Sequence, residues 1–299
     1  MTIHLLGAAT PSGAFFEQLA ASCHAAVEVI SYSRSDPSKS VLDLKEPDSF
    51  DLTCFHRGDV LVSFAPIWLL APFISHLHAN NPGWFKTLGG IVACSSSSAF
   101  TKRFAFNRFD RALVFRLRQS EAELAFHAEQ CQLPLLTLRP ALIYGSCGGF
   151  GDRNLSRLVA LMRRLPVLPL PEPIGSRQPI HASQLAGVAL RSALAFSDTP
   201  KRYSTQQLQL LGGDEVLSYR TMLLRLQAAL PEGDAARRCR LIAVPQRLFF
   251  AAAWPLQCLS PKTFEAVLRM AADLSGFPPA HELLNSEAQL FPLQPLALP

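Results

Sequence analysis

Charged residues, cysteine motifs and long apolar runs are all scarce in this sequence of 299 residues. Charged side chains make up only 17% and hydrophobic ones 49%, which excludes a disordered chain and provides material for a buried core. The net charge is +5, and its densest basic groups are Arg163–Arg164 and the set Arg237, Arg238 and Arg240. Groups this short argue against a nucleic-acid-binding track, so we expect no nucleic-acid partner.

The seven cysteines include no Cys-x-x-Cys pair and no histidine at a spacing typical of zinc sites. An odd number of single cysteines indicates reduced thiols, a cytoplasmic location and no metal site. Ile3–Leu6 has no basic lead, unlike a signal peptide. No stretch reaches the roughly 18 apolar residues of a membrane span, so we expect no stable membrane insertion. The apolar segment Leu248–Leu259 is broken by Pro255 and suits a buried or surface-docking helix, with peripheral membrane contact as an alternative.

Short apolar runs alternate with amphipathic ones over residues 1–145. We predict strands at Ile3–Leu6, Val27–Tyr32, Val60–Phe64, Gly90–Cys94 and Leu135–Leu138, with helices over Ala14–Ala26, Ile67–Asn80 and Asp110–Cys131. Strands separated by helices require right-handed crossovers and a parallel sheet covered on both faces. The prediction is an α/β fold with a doubly wound parallel sheet of Rossmann type.

The amino-acid composition changes after Gly145, where glycine and proline become frequent. We expect residues 146–299 to form a smaller, mixed C-terminal substrate lobe, packed on the core as one unit and returning some elements to it. Its helices are predicted at Asn154–Leu165, Ser183–Ala195, Ser218–Ala229, Pro245–Leu256 and Pro261–Ser275, and the tail Phe291–Pro299 is too rich in proline for a regular element.

A glycine turn, Leu5-Leu6-Gly7-Ala8-Ala9-Thr10-Pro11-Ser12-Gly13, lies between the first strand and the first helix. Glycines in this context permit a tight turn and let a helix N-terminus approach a pyrophosphate. The middle glycine of the usual pattern is replaced by Thr10, whose Cβ could crowd the phosphates. Taken by itself, the motif is equally compatible with an ordinary strand–helix turn.

Arg34 follows the second strand, at the place where dinucleotide folds contact the adenosine ribose. An acidic residue there favours NAD, whereas a guanidinium suits the extra 2′-phosphate of NADP. We therefore prefer NADP as cofactor, with NAD as the alternative. The competing interpretation is a solvated surface arginine.

Further segments extend the pattern in order along residues 3–225. They are Asp43-Leu44, Asp59–Pro66, Val92–Lys102, Leu138–Gly145, Arg177–His181 and Leu211–Glu215. With the glycine turn, these segments resemble the extended, atypical branch of the short-chain dehydrogenase/reductase superfamily. Within it, the chain resembles the NAD-dependent epimerase/dehydratases and nucleoside-diphosphate-sugar epimerases.

The resemblance implies roles for the matching positions. The turn would face the pyrophosphate through Gly7, Thr10, Pro11, Ser12 and Gly13. Arg34 would contact the ribose phosphate, and Asp43 and Leu44 would contact the adenine. The rest of the cofactor would be lined by Ser63, Phe64 and Ala65, its nicotinamide would be surrounded by Ser95, Pro140 and Ile143, and the substrate would be approached by Arg177 and His181. Phe64 and Ile143 are equally compatible with a core role, and His181 with a structural one.

The superfamily's proton-transfer pair, a tyrosine followed four residues later by a lysine, is missing. None of the four tyrosines has a lysine at that spacing. By the usual interval before Arg139-Pro140, the pair would fall at Leu113 and Leu117, which cannot transfer a proton. Ser96, Ser97 and Lys102 are the candidate substitutes, although Lys102 could equally be a capping or surface residue.

Three functional hypotheses remain. The first is an NADP-dependent oxidoreductase or epimerase acting on a small polar substrate of nucleotide-sugar type. The second is a non-catalytic dinucleotide-binding protein with a regulatory or assembly role, and the third is a scaffold without cofactor. A homodimer through the long helix at residues 110–131 is an additional expectation, although the apolar positions of that helix could equally face the sheet.

Overall fold

The central sheet of the computed structural model has seven parallel strands within the described residues, which are 1–23, 27–34, 36–198 and 206–296. The strands in chain order are β1 (Thr2–Leu6), β2 (Glu28–Ser33), β3 (Ser40–Val41), β4 (Val60–Ser63), β5 (Gly90–Cys94), β6 (Leu135–Pro140), β7 (Ile143–Tyr144), β8 (Ser146–Cys147), β9 (Phe150–Gly151), β10 (Val167–Glu172), β11 (Ser176–Arg177), β12 (Ile180–His181), β13 (Gln207–Leu211), β14 (Leu217–Ser218) and β15 (Arg240–Pro245). Those of the central sheet stand in the order β3-β2-β1-β4-β5-β6-β13. The predicted doubly wound parallel sheet is confirmed.

Helices cover both faces of this sheet. They are α1 (Pro11–Ser22), α2 (Ile67–Asn80), α3 (Pro82–Phe85), α4 (Ser98–Thr101), α5 (Arg108–Gln130), α6 (Asn154–Arg164), α7 (Ala182–Asp198), α8 (Tyr219–Ala229), α9 (Gln246–Ala253), α10 (Leu256–Leu259), α11 (Pro261–Leu268) and α12 (Ala280–Leu284). Val60 and Val62 of β4 belong to the apolar cluster with α1 and α7, whereas Leu61 belongs to the cluster with α2 and α5. Both faces of the strand are buried, which is why β4 is a continuous apolar run.

The direction of chain progression reverses between β1 and β4. From β1 the chain builds outward to β2 and β3 on one side, and then returns to build β4, β5 and β6 on the other. In open α/β sheets, ligands bind in the crevice that this reversal leaves at the carboxyl ends of the strands. The predicted glycine turn directly follows β1 and therefore lies at this crevice.

The C-terminal half contributes both to the sheet and to a separate lobe. Helix α7 packs on α1, and β13 pairs with β6. The lobe surrounds a third apolar cluster that includes Val159, Met222 and Leu226. Its short sheets are mixed, since β10 pairs with β15 in parallel and β11 with β14 in antiparallel orientation.

Three helices end at least three residues earlier than predicted. The first ends at Ser22 rather than residue 26, and residues 24–26 lie outside the described part. The helix predicted over 245–256 is interrupted after Ala253, because Pro255 has no N–H to continue the hydrogen-bond ladder; Pro255 is instead the N-cap of α10. Within the described residues, no helix is both long and apolar enough to cross a membrane.

The last predicted helix, over 261–275, ends at Leu268. Beyond that residue, the backbone carbonyls of Arg269 and Ala272 accept hydrogen bonds from the side chain of Arg177, at 2.6 and 2.8 Å. The carbonyls at the end of a helix have no partner within it, and here the guanidinium of Arg177 on β11 supplies the hydrogen bonds in place of a further helical turn.

Candidate dinucleotide site

Gly7 follows β1 with a φ of +76°, in the left-handed region that favours glycine. A Cβ at this position would lie 2.5 Å from the backbone nitrogen of Ala65, and one at Gly13 would lie 2.6 Å from the carbonyl oxygen of Gly7. Both glycines are therefore required by close backbone packing between the turn, β4 and α1.

Thr10 is the N-cap of α1. Its hydroxyl donates to the Gly7 carbonyl at 2.8 Å and accepts from the Gly13 N–H at 3.1 Å. Pro11 has no N–H, so in the first turn of α1 the N–H of Ser12 is the group still able to meet an anion. The capping threonine thus stabilises the helix start while reducing the number of donors for a phosphate.

A cleft of about 270 Å³ opens beside the turn. Gly7 and Thr10 of the turn line it together with Arg34 and Asp43, and Leu42 and Leu44 add apolar side chains to the lining. The side chain of Arg34 is 69% exposed, and its Nη1 lies 3.9 Å from Oδ2 of Asp43. Of the residues predicted for the pyrophosphate and adenosine ends, Gly7, Thr10, Arg34, Asp43 and Leu44 therefore share one cavity at the crevice of the sheet, whereas Pro11, Ser12 and Gly13 are not in its lining.

The residues predicted to line the cofactor after β4 have different environments. Ser63 is buried, and its hydroxyl has no hydrogen-bond partner among the described residues. Phe64 is half-buried, and its ring meets the ring of Phe16 edge-on, with centroids 6.0 Å apart. Phe64 therefore contributes to packing on α1, while Ala65 lines the cleft.

A buried ion pair lies beside Ser95, at the end of β5. Glu121 accepts a hydrogen bond from the Ser95 hydroxyl, and both of its carboxylate oxygens accept hydrogen bonds from the guanidinium of Arg139. Ser96 accepts the N–H of Ser98, and the N–H of Ser97 donates to the carbonyl of Pro140 at 3.0 Å. Glu121 and Arg139 were not among the predicted site residues, and their 18-residue separation shows no recognisable pattern in the sequence.

Lys102 is held away from the cleft by a second charged cluster. Its Nζ donates to Asp110 at 2.8 Å, and Asp110 also pairs with Arg269 at 3.0 Å and bonds Asn107 at 3.0 Å. Burial raises the pKa of Asp110, but the bonds from Lys102 and Asn107 outweigh it and hold that pKa below its usual value. The carboxylate is thus ionised, and Lys102 neutralises it.

The positions of the missing proton-transfer pair are apolar and packed. Leu117 is buried in the cluster between the sheet and α2, and Leu113 packs against that cluster. Pro140, at the end of β6, is buried, and Ile143 pairs with Ile180 of β12 and packs on the cluster with α1 and α7.

Three tyrosines in the described residues are also engaged. The hydroxyl of Tyr32 lies 3.0 Å from Nδ1 of His4, that of Tyr144 accepts the N–H of Leu293 at 3.0 Å, and the ring of Tyr219 carries the Arg177 guanidinium at 4.7 Å. Burial raises the pKa of each phenol. All three phenols therefore stay protonated near neutral pH.

The two predicted substrate residues are buried. The guanidinium of Arg177 bonds three backbone carbonyls, those of Ser176, Arg269 and Ala272. His181 lies between the rings of Phe15 and Tyr144, and burial lowers its pKa.

The C-terminal segment covers His181. The carbonyl of Pro295 lies 3.4 Å from its Nε2 and accepts the N–H of Ser146 at 3.1 Å.

In the described residues, no group of three His, Cys, Asp or Glu side chains could hold a metal ion.

Neither protein-family models nor curated proteins match this sequence, but solved structures do. UDP-glucuronic acid 4-epimerase from Bacillus cereus, in complex with NAD, has a TM-score of 0.61 at 12% identity, covering 97% of this chain and 92% of the epimerase. A human epimerase family protein with NADPH scores 0.57 at 13% identity, covering 96% and 95%. The dTDP-glucose 4,6-dehydratase of Bacillus anthracis, in complex with NAD, scores 0.55 at 12% identity, covering 82% and 85%.

This chain has the fold of these enzymes. The likeness runs through both the sheet and the C-terminal lobe, since it covers nearly the whole of the first two. The predicted α/β fold of Rossmann type is thus confirmed by its likeness to these structures.

Proposed function

We propose that this protein binds NADP in the cleft between Gly7 and Arg34. The observation that carries the proposal is the position of this cleft, at the crevice where the sheet order reverses, with a glycine turn and a guanidinium both in its lining. Similar folds bind NAD or NADPH, as the epimerase and dehydratase structures do. The position of Arg34 favours the form with the extra phosphate.

The residues of the cleft fit the adenosine half of a dinucleotide. The Ser12 N–H and the positive end of α1 would meet the pyrophosphate, Arg34 the 2′-phosphate, and Leu42 and Leu44 the adenine. Ser63 Oγ at the end of β4 is buried and has no hydrogen-bond partner in the part of the chain that the structure describes, which is the kind of group that a ligand satisfies, although Ser63 is not in the lining of the cleft. Thr10 remains compatible with this fit, because its hydroxyl is turned back onto Gly7.

We further propose that binding occurs without the superfamily's proton transfer. A bound nicotinamide supplies hydride exchange, but a partner acid or base must come from the protein. Leucines occupy the usual positions, the Ser95 hydroxyl donates to Glu121, and Lys102 pairs with Asp110. A regulatory or assembly role that depends on the bound dinucleotide agrees best with this arrangement.

Catalysis on a nucleotide-sugar-like substrate is the second candidate. It is favoured by the likeness over 97% of the chain to an epimerase of UDP-glucuronic acid. In that case Ser96 or Ser97, at the end of β5, would hold the substrate, and the acid or base would be a group not used by the relatives.

The homodimer remains a prediction with one supporting feature. Phe115 and Phe126 on α5 are exposed, and apolar side chains exposed on a helix are common at interfaces. Sedimentation velocity over a range of concentrations tests it, with Phe115→Ser as the disrupting variant.

Cofactor binding is tested by fluorescence titration with NADPH and NADH. Arg34→Ala should weaken NADPH about tenfold, corresponding to the loss of one charge-assisted contact at an exposed site, and NADH less than twofold. Arg57→Ala is the matched control, since Arg57 is exposed and precedes β4, at the amino-terminal end of the strand and away from the cleft at the carboxyl ends. Equal losses for both cofactors would refute the role of Arg34, and absence of binding by the unaltered protein would refute the proposal.

Catalysis is tested separately, on the NADPH-loaded protein, with a panel of UDP- and dTDP-sugars. We expect neither a change in nicotinamide absorbance nor a new sugar epimer by NMR. Turnover that is lost in Ser96→Ala would establish the second candidate and leave the binding proposal intact.

A further inference from the structure

Two surface stretches of this protein are apolar and carry only positive charge. The first is the loop between α4 and α5, where Phe104 is 80% and Phe106 89% exposed. The second runs through α9 and α10, where Trp254 is 61% and Leu259 81% exposed. Large side chains exposed in such density on a folded domain mark an interaction site.

The two stretches adjoin one another through α11. Phe104 and Phe106 line a cleft of about 240 Å³ together with Leu268 and Arg269. Helix α11 in turn packs against α9 and α10. The loop is also tied to α11 by a hydrogen bond from the Asn107 N–H to Glu265. We call these two adjoining stretches the basic apolar face; its exposed residues are Phe100, Phe104, Phe106, Phe109, Leu248, Trp254 and Leu259, with Arg103, Arg108, Arg247 and Lys262.

The charge of this face has one sign. The sequence has no Asp or Glu between Val60 and Phe109, nor between Arg240 and Phe264. The acids that follow each stretch, Asp110 and Glu265, are buried and paired with Arg269. Two exposed acids lie nearby: Glu172 ends β10, which packs on α9, and Asp273 follows Ala272 of the cleft and accepts hydrogen bonds from Ser176. Both lie outside the two stretches.

Aromatic rings and guanidinium groups alternate on the face. Arg103 lies over the rings of Phe100 and Phe104, at 4.1 and 4.8 Å, and Arg108 lies over the ring of Phe109 at 4.9 Å. The cations therefore sit level with the exposed rings instead of extending past them. An apolar layer with cations at the same height matches the boundary between lipid headgroups and acyl chains.

We propose that the basic apolar face docks this protein on the surface of an anionic lipid bilayer. The exposed rings would enter the headgroup region and the arginines would meet lipid phosphates, as peripheral amphipathic surfaces do. A second copy of the chain is a poorer occupant. A two-fold interface would set one basic face against another, and like charges brought together oppose association.

Docking would also orient the dinucleotide site. Helix α4 begins directly after Ser97, at the carboxyl edge of the sheet where the crevice opens. The face therefore starts at the rim of the substrate side, and a bilayer bound to it would lie next to that rim. The proposal does not depend on cofactor binding, because the face and the cleft share no residues.

Vesicle flotation tests the proposal with the full-length protein. Phosphatidylcholine vesicles are compared with vesicles containing 30% phosphatidylglycerol, roughly the anionic fraction that draws basic surfaces. We expect at least tenfold stronger partitioning onto the anionic vesicles, reversed by high salt, and a blue shift of tryptophan fluorescence that is lost in Trp254→Ser.

The variants separate the apolar and electrostatic contributions. Phe106→Ser with Trp254→Ser should lower partitioning at least tenfold, and Arg103→Gln with Arg108→Gln should lower it about fivefold for each charge removed. Leu290→Ser and Arg57→Gln, both exposed outside the face, are the matched controls and should leave it unchanged. Because the substituted residues are exposed, thermal unfolding should be unaffected.

Three results would overturn the proposal. They are the absence of partitioning onto anionic vesicles, equal partitioning onto both vesicle types, and partitioning that the face variants leave intact. Conversion of an oligomer to a monomer by Phe106→Ser with Trp254→Ser, without any vesicle binding, would assign the face to self-association instead.

Discussion

The buried ion pair between Glu121 and Arg139 joins α5 to β6 beside Ser95, and a double-mutant cycle can measure its contribution to stability. The side chains are 6% and 14% exposed. Removing one partner leaves the other charge buried, which typically costs about 3–5 kcal/mol. Because Arg139 keeps some contact with water, we expect about 3 kcal/mol for Glu121→Ala.

The second part of the cycle tests whether the cost comes from the charge left behind. Glu121→Leu combined with Arg139→Met removes both charges and keeps the volume. Such replacements are often close to neutral, so we expect the double variant within about 1 kcal/mol of the unaltered protein. With about 3 kcal/mol for each single variant, Glu121→Leu and Arg139→Met, and about 1 kcal/mol for the double variant, the coupling between the two positions should be about 5 kcal/mol.

The assay is equilibrium unfolding in urea, followed by fluorescence and circular dichroism to check that the two probes agree. Glu129→Ala, exposed on the same helix, is the control and should change stability by less than about 0.5 kcal/mol. The reasoning fails if Glu121→Ala is as mild as this control, or if the losses from the two positions simply add. An additive result would mean that Glu121 and Arg139 are not coupled energetically, so that the ion pair does not stabilise the fold.

Two other predictions concern electrostatics. Asp43→Asn should strengthen NADPH binding about threefold, because it removes a carboxylate close to the expected phosphate; competition titrations against NADH measure the change, and a loss of NADPH affinity would contradict it. Burial lowers the pKa of His4 and of His181 in the folded protein, so the unfolded chain takes up protons first as the pH falls. Stability should therefore be full above about pH 6.5 and decline below it, by up to about 1.4 kcal/mol per pH unit for each histidine. Urea midpoints between about pH 8 and 5 test this, and a midpoint that does not change would refute it.

The sheet could be predicted because each of its strands leaves a local signal. A run such as Val60–Ser63 is buried on both faces, and its apolar continuity is visible without any knowledge of its neighbours. Strand β13 was not predicted. This strand comes after helix α7 in the chain and lies at the edge of the sheet. Two of its five residues, Gln207 and Leu208, are exposed there, so its hydrophobic pattern resembles that of a loop.

The candidate site was predictable where the chain is continuous. The turn at Gly7 and the cation at Arg34 follow neighbouring strands, and the sheet order brings them to one cleft. The partners of Ser95 and Lys102 were not predictable. Glu121 and Asp110 reach them across loops and helices, and nothing in the local sequence indicates which way a side chain on α5 will turn.

The sequence by itself determined the layered fold, the glycine turn and the absence of a tyrosine–lysine pair, because these depend on residue types at short, fixed intervals. Only the tertiary structure decided how the polar residues are used. It bonds Arg177 to backbone carbonyls, buries His181 under the C-terminal segment, and pairs Lys102 with Asp110. It also brings Phe106 and the helix before Trp254 to adjoining parts of one surface. Such contacts depend on packing between distant segments, whose geometry is set by the whole core and not by local spacing.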